Sequence, residues 1–245
     1  MQSEFLPYLF VLLPVAAFFY SSVGHGGASS YLMILALAGF APEEIRPTAL
    51  LLNMAVSFIA FMNHRRSCEF PNNLFLQLVV FSVPAAFIGG LVVVESSIYK
   101  NILGVLLLFP VLNFLGVFPK NDKTILRDKI WMPPFIGILI GFFSGLIGIG
   151  GGILLSPLLL MLGWTNIRQT AALSALFIFV NSVAGYLGTT GFNLIDNKSL
   201  WILIPPAVLG GILGSYFGAL RFNVKLVKHL LTFVLAGAAL KLIFF

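Results

Sequence analysis

The chain has 245 residues, 59% of them hydrophobic and 9% charged, with 14 Lys and Arg against 8 Asp and Glu for a net charge of +6. Soluble domains carry about 25% charged residues, so this composition excludes a soluble globular or disordered chain and points to a polytopic membrane protein. The basic residues are scattered through short polar stretches, which excludes nucleic acid as a partner and leaves the lipid bilayer and a small solute.

Apolar runs suited to helix occur at 5–20, 28–40, 47–63, 73–94 and 98–118. After the charged stretch KNDKTILRDK they resume at 131–147, 152–164, 169–188, 199–220 and 225–245. Strands of about ten residues with period-two alternation are absent, so the fold class is all-α, polytopic, and within one membrane domain spanning 1–245. MQSEF lacks the basic residues that begin a secretory signal, so the first run is expected to stay in the mature chain. Cys68 is the single cysteine, which rules out an intramolecular disulfide.

The first two runs are separated by YSSVGHGGASSYL, residues 20–32, where Ser22, Gly24, His25, Gly26, Gly27, Ser29 and Ser30 interrupt an apolar chain. The matching interruption lies further on, at Gly148, Gly150, Gly151 and Gly152. Other landmarks recur in the same order: IRPTA at 45–49 with IRQTA at 167–171, and VPAAFIGG at 83–90 with IPPAVLGG at 204–211. The pattern predicts a duplicated unit, repeat 1 over 1–118 and repeat 2 over 131–245, joined by a connector at 119–130.

Runs 5–20 and 28–40 would make helices of about 24 Å and about 20 Å, short of a hydrocarbon core of about 30 Å. Each pair therefore reads as a re-entrant hairpin, as two thin spans, or as one long broken helix. If each pair enters and returns on one side, the unit crosses an odd number of times and its copy is inverted. Lys and Arg then divide ten against four between the two sides of the membrane, and the ten mark the cytoplasm. A parallel arrangement would divide them about eight against six, a weaker bias. The inverted reading places the N-terminus outside and loops 64–72 and 119–130 in the cytoplasm, in a multi-pass protein of the inner (plasma) membrane.

Non-helical backbone at membrane depth survives only where it is buried in protein or lines a wet cavity. Glycine breaks at matching places in two inverted halves are the strongest sequence pointer to a transport site. Helices beginning near Ala28 and Gly152 would present free N–H groups and about half a positive charge each, a setting for an anion. Thr170, Ser174 and Asn181 fall within about 40° of one helical face, and Asn53 and Ser57 form a similar pair, so these side chains are candidate neutral donors. His25 is the one ionisable side chain expected at mid-depth, where it could couple transport to protons. Arg46 and Arg168 head equivalent segments and read as side chains that snorkel to the interface, or, in a functional role, as vestibule charges that gather anions, with Glu43 and Glu44 opposing at the outer one. Gly89, Gly90, Gly210 and Gly211 read as close-packing positions. No Gly-x-Ser-x-Gly elbow or catalytic His-Asp pattern is present, so an enzyme is not expected, and neither a metal nor a cofactor is implied.

VGHGGASSYLMILALAGF and IGIGGGILLSPLLLMLGW, each followed by an Ile-Arg-x-Thr-Ala segment, resemble the repeated signature of the sulfite exporter TauE/SafE family of membrane permeases. The resemblance implies transport of sulfur-containing anions such as sulfite or organosulfonates. The family's Gly-x-Gly-Gly-Gly loop stands intact at Gly148, Gly150, Gly151 and Gly152, with its following proline at Pro157. The first loop departs from it, with Ala28 for the last glycine, His25 at the variable position and Met33 where a proline is expected. Export of the anion is the expected direction; proton-coupled uptake of another organic anion and an anion channel are the alternatives. The oligomeric state, monomer or homodimer, stays open.

Overall fold

The computed structural model describes residues 2–117, 131–190 and 201–220, with Ala236. The expected connector at 119–130, and the last run at 225–245 apart from Ala236, lie outside the described residues.

Described residues form α1 (Gln2–Ser22), α2 (Ala28–Leu37), α3 (Pro42–His64), α4 (Asn72–Leu91) and α5 (Ser96–Phe114). They continue with α6 (Met132–Ile147), α7 (Gly152–Met161), α8 (Ile167–Thr190) and α9 (Ile204–Leu220), and no strand occurs among them. Among the described residues, three stretches are long and apolar enough to cross a membrane: Pro42–Ser67, which is α3 with the short 3-10 turn after it, then Asn72–Leu91 and Ile167–Thr190.

Helix ends follow local chemistry. α3 begins at Pro42, five residues before the expected 47, because a proline in the first turn lacks only an N–H that would be orphaned anyway. Glu43 and Glu44 then complement the helix dipole in that first turn. α8 starts after Asn166, whose side chain accepts from Gln169 N–H at 3.0 Å while the Gln169 side chain accepts from Asn166 N–H at 3.2 Å, a reciprocal cap. α2 and α7 have ten residues each, about 15 Å of helix, half of what a crossing needs.

α3 and α8 pack against each other at the centre. They are 67% and 72% buried over their apolar windows, against 39% for α4, whose Leu76, Val80, Phe81 and Ile88 face outward as a lipid-facing side would. α4 packs on α6 and α8; in the same pattern α9 packs on α1 and α3. The contacts of α4 with α6 and of α9 with α1 are each a stripe of glycines on one helix laid against carbonyls of the other. Gly137, Gly141 and Gly145 of α6 lie on the carbonyls of Leu78, Ser82 and Ala86, and Gly210, Gly214 and Gly218 of α9 lie on those of Pro14, Phe18 and Ser22. A Cβ at any of these positions would run into backbone, so the small residues set the helix separation where apolar burial gives no drive between helices. Gly89 and Gly90 meet the carbonyls of Phe142 and Gly185 in the same way, and Gly211 meets the Val56 side chain.

Candidate functional site

Both breaks are built by the same turn. At the first, Gly24 takes φ 81° and His25 N–H bonds the Tyr20 carbonyl at 2.9 Å; at the second, Gly148 takes φ 86° and Ile149 N–H bonds the Ser144 carbonyl at 3.1 Å. A left-handed residue closes each helix and turns the chain back, a conformation glycine adopts without a Cβ penalty. Gly27 (φ 98°) and Gly151 (φ 78°) then lead into α2 and α7.

The orphaned backbone groups at the breaks are met by side chains from elsewhere in the chain, as their burial requires. Tyr31 Oη donates to the Gly26 carbonyl at 2.9 Å, and Tyr99 Oη donates to the Ile147 carbonyl at 2.8 Å. His64 Nε2 lies 3.1 Å from the Ser21 carbonyl oxygen, to which it donates. Asn53 touches both breaks. Its Oδ1 accepts from Ala28 N–H at 3.2 Å, and its Nδ2 donates to the Ile149 carbonyl and to Ser182 Oγ, each at 3.3 Å. Asn53 is fully buried, and Gly26 and Gly150 leave no room for a Cβ beside its amide.

A cavity of about 10 Å³ lies between the breaks, room for about one water-sized sphere. His25, Gly26, Gly27, Ser29 and Asn53 line it, five of the residues expected from the sequence, together with Tyr20, Ala28, Ile149, Ile153 and Ile178. His25 and Tyr20 stand edge to face, ring centroids 6.5 Å apart. The Tyr20 hydroxyl lies against the hydroxyls of Ser29 and Ser30, and Tyr20 and Ser29 are each only 2% exposed.

The other expected residues lie elsewhere. Ser22 Oγ bonds the Phe19 carbonyl at 2.7 Å and Gly24 faces Ala171. Gly152 lies under the Ile178 side chain, and Gly151 under Ile140 and Phe177. Ser174 Oγ is 2.8 Å from Ser156 Oγ, which is itself 2.9 Å from the Gly152 carbonyl oxygen. Asn181 Nδ2 bonds the Phe177 carbonyl one turn back at 2.8 Å, leaving its Oδ1 buried and unmatched. Ser57 Oγ is 3.5 Å from the Met54 carbonyl, and Thr170 Oγ1 is 2.7 Å from Thr165 Oγ1 near the start of α8.

The two arginines differ. Arg46 is 6% exposed, and its guanidinium donates to the carbonyls of Val92 (3.0 Å), Gly90 (3.0 Å), Gly89 (3.4 Å) and Gly145 (3.2 Å), tying α3 to the ends of α4 and α6. Its backbone sits against Gly148 of the second break. Arg168 is exposed and lies near the Cys68 thiol.

Tyr20, Tyr31, Tyr99 and Ser182 were not singled out from the sequence. The available signal was the hydroxyl itself, since a tyrosine in an apolar segment needs a polar partner, and a glycine break offers carbonyls. Ile149, Ile153 and Ile178 carry no comparable signal.

A molecule whose described elements are all helices, with two glycine turns meeting at a buried cavity that has a polar side, has the build of a membrane transporter. The family model described as sulfite exporter TauE/SafE matches residues 9–242, and the chain belongs to that family of membrane transporters. A relative from Sinorhizobium fredii, named as a probable membrane transporter protein, is 32% identical over 236 residues, 94% of each chain. One of the same designation from Methanocaldococcus jannaschii is 29% identical over 195 residues, 75% of this chain and 71% of the relative. The MamO protein of Magnetospirillum gryphiswaldense, also named a probable membrane transporter, is 30% identical over 135 residues, 51% of this chain and 21% of its own length. No solved structure matches the chain at a significant level.

Proposed function

We propose that this protein is a secondary transporter of small sulfur-containing anions, sulfite and organosulfonates, which it carries out of the cell across the inner membrane. One observation carries the reading. The N-terminus of α2 opens onto a buried cavity lined by hydroxyls, an amide and an imidazole, at a place where a second helix break faces it. Backbone N–H groups and the helix dipole favour an anion there, and the name of the family supplies the sulfur chemistry.

At about 10 Å³ the cavity is closed to an anion, so transport on this reading requires the breaks to part toward one side at a time. Inverted repeats, with the N-terminus outside, suit that motion, and the matched packing of α4 on α6 and α8 and of α9 on α1 and α3 supports them. Direction follows from the membrane potential. With the interior negative, each unit of negative charge leaving gains about 2.3 kcal/mol per 100 mV.

The test is flux of labelled sulfite from proteoliposomes. Saturable efflux with counter-exchange, and a rise in the unfolding temperature of the purified protein with sulfite, are the expected results. A flux that never saturates would make the protein a channel, and stabilisation by cations or neutral solutes alone would end the anion reading. Because His25 lines the cavity, proton-coupled uptake is the second reading. It predicts that His25→Ala removes the pH dependence of flux, and it is dropped if the profile is unchanged.

A further inference from the structure

We propose that the site selects anions having one oxygen-free corner, such as sulfite, thiosulfate and sulfonates, and rejects those with oxygen on every corner, such as sulfate. It does so by a division of its walls. The inference rests on the anion reading above and adds the residues that set its selectivity.

The polar lining comes from the first break and α3: the hydroxyls of Tyr20 and Ser29, the imidazole of His25, the amide of Asn53 and the start of α2. The aliphatic lining comes from the second break, α7 and α8: Ile149, Ile153 and Ile178. The division holds even at equivalent points of the two turns, where the residue after the left-handed glycine is His25 in one and Ile149 in the other. Tyr20 Oη and Ser29 Oγ are buried against each other and Ser30 without a well-formed hydrogen bond to any other group, so the polar wall holds hydroxyls that an anion can draw on. Asn53 Oδ1 meanwhile sits on Ala28 N–H, the place an anion's oxygen would take at the head of α2.

An anion entering here turns its oxygens to the hydroxyls and the α2 N–H groups, displacing the Asn53 oxygen. Its remaining corner faces three isoleucines. The lone pair of sulfite and the carbon of a sulfonate lose little on that wall, and the terminal sulfur of thiosulfate, though charged, is larger and less strongly hydrated than an oxygen and loses less than one. A fourth oxygen loses its water and gains no donor, which costs about tenfold or more in affinity.

Thiosulfate and sulfate make the sharpest comparison, because both are tetrahedral dianions and they differ only at that corner. Binding to the purified full-length protein, by calorimetry or by shift of the unfolding temperature, is expected to be at least about tenfold tighter for thiosulfate and sulfite than for sulfate. Ile178→Thr should narrow the ratio about three- to tenfold, and Ile178→Val, of similar volume without the hydroxyl, should preserve it. Tyr20→Phe should weaken all three anions together. Equal affinity of the unsubstituted protein for thiosulfate and sulfate overturns the inference and leaves anion transport standing. Failure to bind any of the three anions overturns the transport reading itself. The comparison on the unsubstituted protein needs no variant to fold.

Discussion

The chain leaves α1 at Gly24 and α6 at Gly148 by the same left-handed turn, and in both cases a ten-residue helix follows. Around the first turn stand Tyr20, His25, Ser29 and Asn53; around the start of α7 stand Ile140, Phe177 and Ile178. The arginines that head α3 and α8 part in the same manner, one buried on four carbonyls and the other exposed. At the cavity between the two breaks the first supplies polar side chains and the second aliphatic ones, while Asn53 of α3 bridges the two. On the proposed anion reading, that difference assigns the two breaks separate jobs, the first holding the ligand's polar face and the second shaping and closing the space.

Substitutions on the two sides can break this division, and the largest effect belongs to the second break. Gly150→Ala forces a left-handed residue at φ 75° and drives a Cβ into Asn53 Nδ2. It should cost about 2–5 kcal/mol and abolish flux. Gly26→Ala meets the same amide from its Oδ1 side without a positive φ, so its unfolding temperature should fall less; equal losses would mean that backbone strain is not what separates the two turns.

Asn53→Ala comes next. It strips the Ala28 N–H and the Ile149 carbonyl of their partners at once, a loss of about 2–4 kcal/mol. Asn181→Ala removes one bond to a carbonyl on its own helix and should cost about 1 kcal/mol. Thermal unfolding of the two variants side by side measures whether the bridge between the breaks outweighs a bond within one helix.

Of the arginines, Arg46→Gln should destabilise by about 2–3 kcal/mol, since buried carbonyls at the ends of α4 and α6 lose a charged donor. Arg168→Gln, at an exposed site, should stay within about 0.5 kcal/mol. Similar effects for both would mean that the buried guanidinium is dispensable to the packing.

The smallest effect is a rate. Partial burial pushes the Cys68 thiol above its ordinary pKa, and the positive charge of Arg168 offsets part of that. The reactive thiolate fraction at neutral pH is therefore low, and alkylation should speed up as pH rises. Arg168→Gln removes the offset, raises the thiol further and should slow alkylation at a given pH. An unchanged rate would show that the exposed charge acts on nothing near it.

The class of molecule, the position of both breaks, and nearly every described helix were legible in the amino-acid sequence, because apolar run length and glycine answer directly to hydrocarbon thickness and to the left-handed turn. The starts of α3 and α9 were misjudged by about five residues, since a proline reads equally as a stop or as a first-turn residue. His25, Gly26, Gly27, Ser29 and Asn53 were also legible, as polar or small groups too costly to leave in an apolar chain without a reason. Which of the remaining candidates reach the cavity was decided by tertiary structure alone. Thr170, Ser57 and Asn181 bond near their own positions, Arg46 is taken up by the ends of two helices, and Ile178 arrives from α8 with no polar signature. Periodicity places a side chain on a helix face, but what it meets there depends on how deeply glycine stripes let the neighbouring helices approach, and that is a property of the packed bundle.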